Sequence, residues 1–495
     1  MSNSKLANDT SIENMYLDTI DRSSLDFDFE KICSVSLSNI NIYACLVCGK
    51  YYQGRTKNSH AYYHSIDNNH HVFINLNNLK FFILPENYEI KNTSNLNDIK
   101  YLINPTFDSS QIEKLNQKVP FKKTLYSHDL NHKIYKIGFI GLNNIKSNDY
   151  ANVILQSLSH ISSLRNFFLN LNNFGTIDKN ILNTKFGLLI RKIWSKNLFK
   201  PHISPHELLQ YISLLSSKKF TINQQRDPKD FLLWLLNNLH DGFVKINHYE
   251  HDHDNSNIHS IHSSHSNNRR SHTIVSNCFQ GKIIIKSQSI IVEKDSKSDI
   301  LKFEKKSQSN SSINKFWILT LDLPSIPLFK DGNTIKEIPQ ISIYTLLNKF
   351  NGIQTQELTG ESRTFQIKKL PLVLIFHINR FSKDNSIKGL SGVERNPIVI
   401  NFPLSKLDMS AYLENSKKRN IKRKPVYYKL VANIILETKS ENDNMKENLD
   451  MFVWKIQLLD KATNSWYEIT NLDVKEVSKE VLLLGESYIE FWERE

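Results

Sequence analysis

At 495 residues, with 40% hydrophobic and 23% charged residues, the chain has length for two or more folded units and a composition that excludes fibrous or wholly disordered classes. A formal charge of +13, from 63 Lys plus Arg against 50 Asp plus Glu, favours acidic partners, RNA-rich particles among them, by nonspecific attraction. Four cysteines exclude a disulfide framework, and no apolar run nears the roughly 18 residues of a membrane span, so no membrane partner is expected.

In chain order, residues 1–11 are polar and expected to be disordered, with neither a secretory apolar core nor an arginine-rich transit pattern, which points to a cytosolic or nuclear setting. Residues 12–104 read as a small first domain. Its stretch "CLVCGKYYQGRTKNSHAYYHSIDNNHH" places Cys45 and Cys48 on a tight knuckle ahead of His60, His64, His70 and His71. A thiolate pair and two imidazoles form the four-ligand set of a closed tetrahedral zinc site. Cys45, Cys48, His64 and His70 are the ligands assigned, and the ion would be structural because no position is left for water. A redox role for the C-x-x-C is disfavoured by the absence of a βαβ setting. Residues 105–135 follow as a polar, Lys-rich linker.

From residue 136 to 495, helical patterns come first and mainly antiparallel strands later, which predicts an α+β domain. After Asn148, the apolar residues Ile154, Leu158, Ile161, Leu164 and Phe168 keep helical spacing. "PHELLQYISLLSS" and "DPKDFLLWLLNNLH" predict two further amphipathic helices with Ser, Asp or Pro start signals. "FWILTLDLP", "LVLIFHINRF", "YYKLVANIIL", "FVWKIQLLD" and "YIEFWE" predict strands. The His-rich segment 248–272 reads as a disordered insertion whose loosely spaced imidazoles make no specific metal site. Segments 296–314 and 438–450 are expected to be exposed loops.

The finger pattern C-x-x-C-G, G-R, H-A-x-x-H and H resembles the ubiquitin-protease-type zinc finger, which holds up to three zinc ions. The positions matching its second site are Cys33, Ser36, Gln53 and His60, two of them unable to serve, and the stretch matching another site, "KFFILPENY", has no cysteine. The resemblance therefore implies one Zn(2+). Arg55 matches the arginine that contacts the ubiquitin tail in binding-competent relatives, but no aromatic clamp accompanies it. Ubiquitin capture by the finger is not expected, and Arg55 reads equally as an ordinary surface arginine.

"GLNNIKSNDYANVILQ" resembles the cysteine box of the ubiquitin-specific proteases, with Asp149 at the nucleophile and Ser147 at the oxyanion-hole asparagine. "DPKDFLLWLLNNLH" and "LPLVLIFHINRF" resemble two further motifs of that family. "FVWKIQLLDKATNSWYEITNLDV" resembles its histidine box, with Val453 at the general base, Trp454 at the tyrosine after it, Thr470 at the orienting acid and Asn471 beside that. What this implies is a papain-like fold with a helical thumb and an antiparallel-sheet palm and fingers, emptied of its triad. Isopeptide hydrolysis by that route needs a reactive thiolate, an imidazole to carry the proton and donors for the oxyanion. Attack by an aspartate would give a high-energy anhydride, and valine moves no proton, so no catalytic residue is assigned. His377 reads as a core or face histidine and Cys278 as a buried thiol without metal.

"YLDTI", "LDFDFEK", "LKFFILPENYEI", "LRNFF" and "SPHELLQ" resemble one branch of the family in particular, a pseudoenzyme branch associated with the spliceosomal tri-snRNP. The resemblance implies a nuclear, noncatalytic scaffold that assembles or stabilises the tri-snRNP during pre-mRNA splicing. Its partners would be tri-snRNP proteins, with small nuclear RNA reached mostly indirectly because no sequence-specific RNA module is visible. A ubiquitin-binding adaptor and a residual deubiquitinating cysteine-type hydrolase stand as the alternatives.

Overall fold

The computed structural model describes residues 16–117, 125–254, 272–294, 301–305, 310–325, 339–358, 361–381, 395–414, 425–438 and 452–495. The expected disordered start, residues 1–11, and residues 439–450 of the loop expected over 438–450 lie outside them, while Thr438 ends a strand.

The first unit is built on a five-stranded sheet, β1 (Ile42–Cys45), β2 (Tyr51–Gln53), β3 (Val72–Asn75), β4 (Phe81–Ile83) and β5 (Tyr88–Glu89), in the order β2-β1-β3-β4-β5. Helix α1 (His60–Asp67) crosses between β2 and β3. Leu25, Ile42, Ala44, Val72, Ile74, Phe81 and Ile99 form a core on one face, and Tyr43, Phe73 and Phe82 form another on the opposite face. This is the period-two alternation of a sheet covered on both sides.

The segment expected to be a linker is partly ordered. Ser109–Asn116 is a helix opened by a capping box, in which the Asp108 carboxylate accepts from Gln111 N (2.7 Å) and the Gln111 side chain accepts from Asp108 N (3.3 Å). Tyr126–His128 then pairs antiparallel with Ile134–Lys136. Its polar composition concealed these elements because each buries few side chains.

The helical half contains α2 (Asp149–Ser159), α3 (Ser162–Leu169), α4 (Ile181–Ile193), α5 (His206–Leu215), α6 (Pro228–Asp254) and α7 (Ile274–Phe279). The apolar period after Asn148 suggests one helix, yet the chain breaks at Ile161, which is extended (φ −74°, ψ 113°). Ser159 Oγ and the His160 ring both take the Gln156 carbonyl, and His160 N turns instead to Ser157 O. Side-chain capture of a helix carbonyl ends the ladder there. Helix α6 runs on into residues 248–254 of the segment expected to be a disordered insertion, while 255–271 lie outside the described residues.

Two sheets complete the domain. The first joins β6 (Gly281–Lys294), β7 (Leu301–Lys305), β8 (Asn310–Phe316), β10 (Asn351–Leu358) and β11 (Glu361–Lys369), with β7 and β8 both pairing β6 and so correcting the loop expected over 296–314. Strand β8 is exposed along nearly its whole length, so no apolar alternation marks it. The second is the large sheet: β9 (Leu319–Asp322), β12 (Val373–Asn379), β17 (Ser487–Arg494), β13 (Tyr427–Thr438), β14 (Phe452–Asp460), β15 (Ser465–Thr470) and β16 (Asp473–Val477), in that order, with Leu407–Asp408 added on β13. Only β9–β12 is parallel among these neighbours. Strand β14 packs against α2, which brings the start of that helix to the sheet.

The finger is fastened to the helical half by the segment Asp26–Phe29. Asp28 accepts from Lys192 Nζ (2.7 Å) and Ser204 N (2.8 Å), Lys192 Nζ also donates to Phe27 O (3.0 Å), and Lys200 pairs with Asp26 (2.9 Å). Phe199 inserts into the finger's own core.

Candidate functional site: a zinc centre and a remodelled cleft

The β1–β2 hairpin turns at Gly49, whose φ of +71° and close approach to Ser24 O leave no room for a Cβ, and its N–H closes on Cys45 O at 3.0 Å. That turn sets Cys45 and Cys48 on one side. Helix α1 supplies His64, and the chain entering β3 supplies His70. The four ligand atoms all lie within 4.8 Å of one another. His64 Nε2 and His70 Nδ1 are 3.1 Å apart, Cys48 Sγ and His64 Nε2 3.4 Å, and Cys45 Sγ and His70 Nδ1 3.6 Å. Bond lengths of about 2.05 Å to nitrogen and 2.3 Å to sulfur at tetrahedral angles require edges of about 3.3 Å for N···N and 3.6 Å for S···N. The cluster matches that tetrahedron, so these residues fit one structural zinc ion. Tyr52 stacks on the His64 ring at 4.1 Å and fixes its plane. The Cys48 thiol is held low, first by the hydrogen bond from Cys45, whose own thiol is correspondingly raised.

The remaining candidates of the finger are placed elsewhere. His71 is bound through Nδ1 to Leu84 O (2.7 Å) and through Nε2 to Asn69 Oδ1 (2.8 Å). At the positions expected to match a second site, Cys33 Sγ lies near three backbone N–H groups, those of Gln53 (3.3 Å), Ser36 (3.4 Å) and Val35 (3.5 Å), while Ser36 Oγ donates to Gln53 Oε1 (2.8 Å). Burial would raise this thiol, but the Ser36 hydroxyl and those N–H groups outweigh it and leave it lowered. Arg55 is engaged within the finger: its guanidinium lies 4.3 Å from the Phe82 ring centre and donates to Asn87 Oδ1.

The second site is the entrance of α2. Gly141 approaches the palm so closely that a Cβ would lie 2.5 Å from Leu472 Cα. Asn148 then locks the loop: its Oδ1 accepts from Ile145 N (2.7 Å), and its Nδ2 donates to Asn143 O (3.1 Å) and Asn152 Oδ1 (3.0 Å). Ser147 N donates to Ile222 O at 3.0 Å. Asp149 is 5% exposed and accepts from Tyr150 N (2.9 Å), from Gln225 Nε2 (2.8 and 2.9 Å) and from Trp454 N (3.1 Å). Gln225 also donates to Phe452 O at 3.2 Å, so one amide joins the carboxylate to the start of β14. A carboxylate in the first helical turn is further favoured by the helix dipole, by about 0.3–1 kcal/mol.

The cleft beside Asp149 is lined by Leu142, Asn152, Val153, Gln156, Trp454, Ile456, Ile469 and Asn471, with neither a cysteine nor a histidine among them. Its interior room is ≈ 10 Å³, of the order of one water molecule. The residues aligned with the base and acid, Val453 and Thr470, are not among the lining residues; Trp454 and Asn471 stand there instead. Alternation explains it: Ile456 pairs with Ile469, and Lys455 reaches Glu468 (3.7 Å) on the opposite face. Gln225 had no motif to announce it; it lies in the polar stretch "TINQQRD". Cys278 is buried, contacts Ser163 Oγ at 3.1 Å and is raised to about 11 by burial. His377 is buried edge-on to Tyr488 (4.9 Å) and pushed down to about 3, chiefly by burial.

Comparison with known proteins agrees with this architecture. Residues 140–492 match the model of ubiquitin carboxyl-terminal hydrolase, and residues 33–95 match that of the Zn-finger in ubiquitin-hydrolases and other proteins. The chain is 41% identical to the probable mRNA-splicing protein ubp10 of Schizosaccharomyces pombe, over 97% of this chain and 88% of that one. It is 40% identical to ubiquitin carboxyl-terminal hydrolase 39 of Homo sapiens (97% and 79% covered) and 33% to the pre-mRNA-splicing factor SAD1 of Saccharomyces cerevisiae (97% and 93%). The crystal structure of an essential yeast splicing factor superimposes with a TM-score of 0.69 at 31% identity, covering 97% of this chain and 99% of that one. With its zinc finger, helical half and antiparallel sheet matched in this way, the chain belongs to the ubiquitin carboxyl-terminal hydrolase family.

Proposed function

We propose that this chain acts in pre-mRNA splicing as a noncatalytic scaffold that assembles or stabilises the tri-snRNP in the nucleus. The relatives named as splicing proteins support the splicing role. The observation that carries the noncatalytic half is the engagement of Asp149: a carboxylate stands at the helix entrance, its oxygens are taken by Tyr150 N, Gln225 and Trp454 N, and the cleft it faces holds no imidazole among the described residues. A carboxylate so saturated is a poor nucleophile, and nothing beside it relays a proton. The adaptor reading is weakened because Arg55 is already held by Phe82 and Asn87.

The test joins chemistry and assembly. Purified chain is expected to form no adduct with ubiquitin bearing a C-terminal electrophile and to release no fluorophore from a ubiquitin conjugate, while its depletion lowers tri-snRNP levels. Turnover by the purified chain would overturn the noncatalytic half. Unchanged tri-snRNP after depletion would overturn the assembly half.

A further inference from the structure

A second cleft opens where the connector, α3, α4 and the turn between β14 and β15 meet. Lys136, His160, Arg165, Trp194, Lys461 and Ala462 are among its lining residues, around ≈ 40 Å³ of interior room. Among the described residues, three cations meet two carboxylates here. Lys136 pairs with Asp460 (2.6 Å) and Lys461 with Glu493, which uses both acids. Arg165 is 4% exposed and has no carboxylate in direct contact among the described residues. Its guanidinium lies 4.4 Å from the Trp194 ring centre and donates to the amide oxygens of Asn116 and Asn166.

His160, 3% exposed, lies against Phe139 and Trp194. Its Nδ1 is 2.9 Å from the Gln156 carbonyl, which can only accept, so the ring proton sits on Nδ1. Nε2 is then a buried acceptor, and it has no partner among the described residues. Burial above all opposes a second proton on this ring, the Gln156 carbonyl and Asp460 favour it, and Arg165 and Lys461 oppose it further, so the imidazole is held neutral.

We propose that this cleft binds a phosphate-class oxyanion, with Arg165 supplying the compensating charge and His160 Nε2 accepting the hydrogen bond of a protonated phosphate oxygen. A carboxylate offers charge but no proton at neutral pH. A hydrogen phosphate brings both, whether as the free ion or as a phosphomonoester on a protein side chain.

Isothermal titration of the full chain at constant ionic strength tests this. At about pH 6, near the second pKa of a phosphomonoester, inorganic phosphate is expected to bind saturably and sulfate, which lacks the proton, to bind roughly tenfold more weakly. Arg165→Gln and Ala462→Glu are each expected to weaken phosphate by roughly tenfold or more. Ala462→Glu leaves the basic network intact and places a carboxylate in the lining, so it remains informative if Arg165→Gln fails to fold. A phosphoserine peptide binding more tightly than free phosphate, with its unphosphorylated form silent, assigns the anion to a protein side chain; the reverse order assigns it to the free ion. Absence of saturable phosphate binding, or equal affinity in Ala462→Glu and the unsubstituted chain, overturns the proposal.

Discussion

The position aligned with a catalytic nucleophile is occupied by a buried acceptor with its donors in place, and this decides what restoring the missing atom would do. Asp149→Cys puts a thiol at the helix entrance but supplies no proton carrier, since Trp454 and Asn471 face it where an imidazole and its partner would be needed. Its rate on a ubiquitin-fluorophore conjugate is expected to equal that of the unsubstituted chain. A second residue gives a pH prediction. Glu490 is fully buried, and burial pushes its carboxyl from 4.5 up to about 7, against the pull of the Trp492 indole N–H and Arg380. A folded value above the unfolded one means that the favourable term is complete below about pH 4.5 and is lost as pH rises through about 7. Above that, the buried carboxylate costs on the order of 3 kcal/mol. Glu490→Gln is therefore expected to raise the melting temperature at pH 8 and to leave it nearly unchanged at pH 4.5, measured by thermal unfolding across that range. Much of the site was legible residue by residue because Asp149 and the four finger ligands sit in spaced motifs. The facing side chains of β14 and β15 were not, since alignment fixes position along a strand while a one-residue difference in facing exchanges the two sides.

At the scale of elements, the finger is held by two devices of different strength. The four-ligand cluster ties the β1–β2 hairpin, α1 and the entry to β3 together, so metal binding and folding of this unit are one process. One zinc per chain is expected by elemental analysis. Chelation, or Cys48→Ala, is expected to unfold the finger while leaving the larger domain folded, read as partial loss of the unfolding amplitude. The nest around Cys33 is weaker: Cys33→Ala strips an acceptor from three backbone N–H groups and is expected to cost about 1–3 kcal/mol in chemical denaturation. Elements with Ser, Asp or Pro start signals and apolar stripes, such as α5 and the start of α6, were readable from sequence. The break at Ile161 was not, because it depends on Ser159 and His160 capturing one carbonyl while the apolar period continues undisturbed. Strand β8 was equally hidden, being exposed along nearly its whole length.

For the molecule as a whole, the join between finger and helical half is electrostatic at its centre and apolar at its edge. Asp28 is shared between Lys192 Nζ and Ser204 N, with Phe199 seated in the finger's core nearby. Removing one member of a largely buried pair strands the other, which typically costs about 3–5 kcal/mol. Asp28→Ala is thus expected to separate one melting transition into two and to speed protease cleavage between residues 104 and 135. The sequence announced two folded units and their order, yet the contacts joining them come from residues more than a hundred positions apart, and periodicity within either unit carries no record of that pairing.

The carboxylate at the entrance of α2 also constrains the chain's future. It rivets three stretches, at 150, 225 and 454, and the Gln225 amide reinforces the joint by also reaching Phe452 O. Any substitution that frees the entrance of α2 for bond cleavage removes those acceptor contacts as well, so the firmness of the joint and chemistry at the helix entrance draw on the same carboxylate.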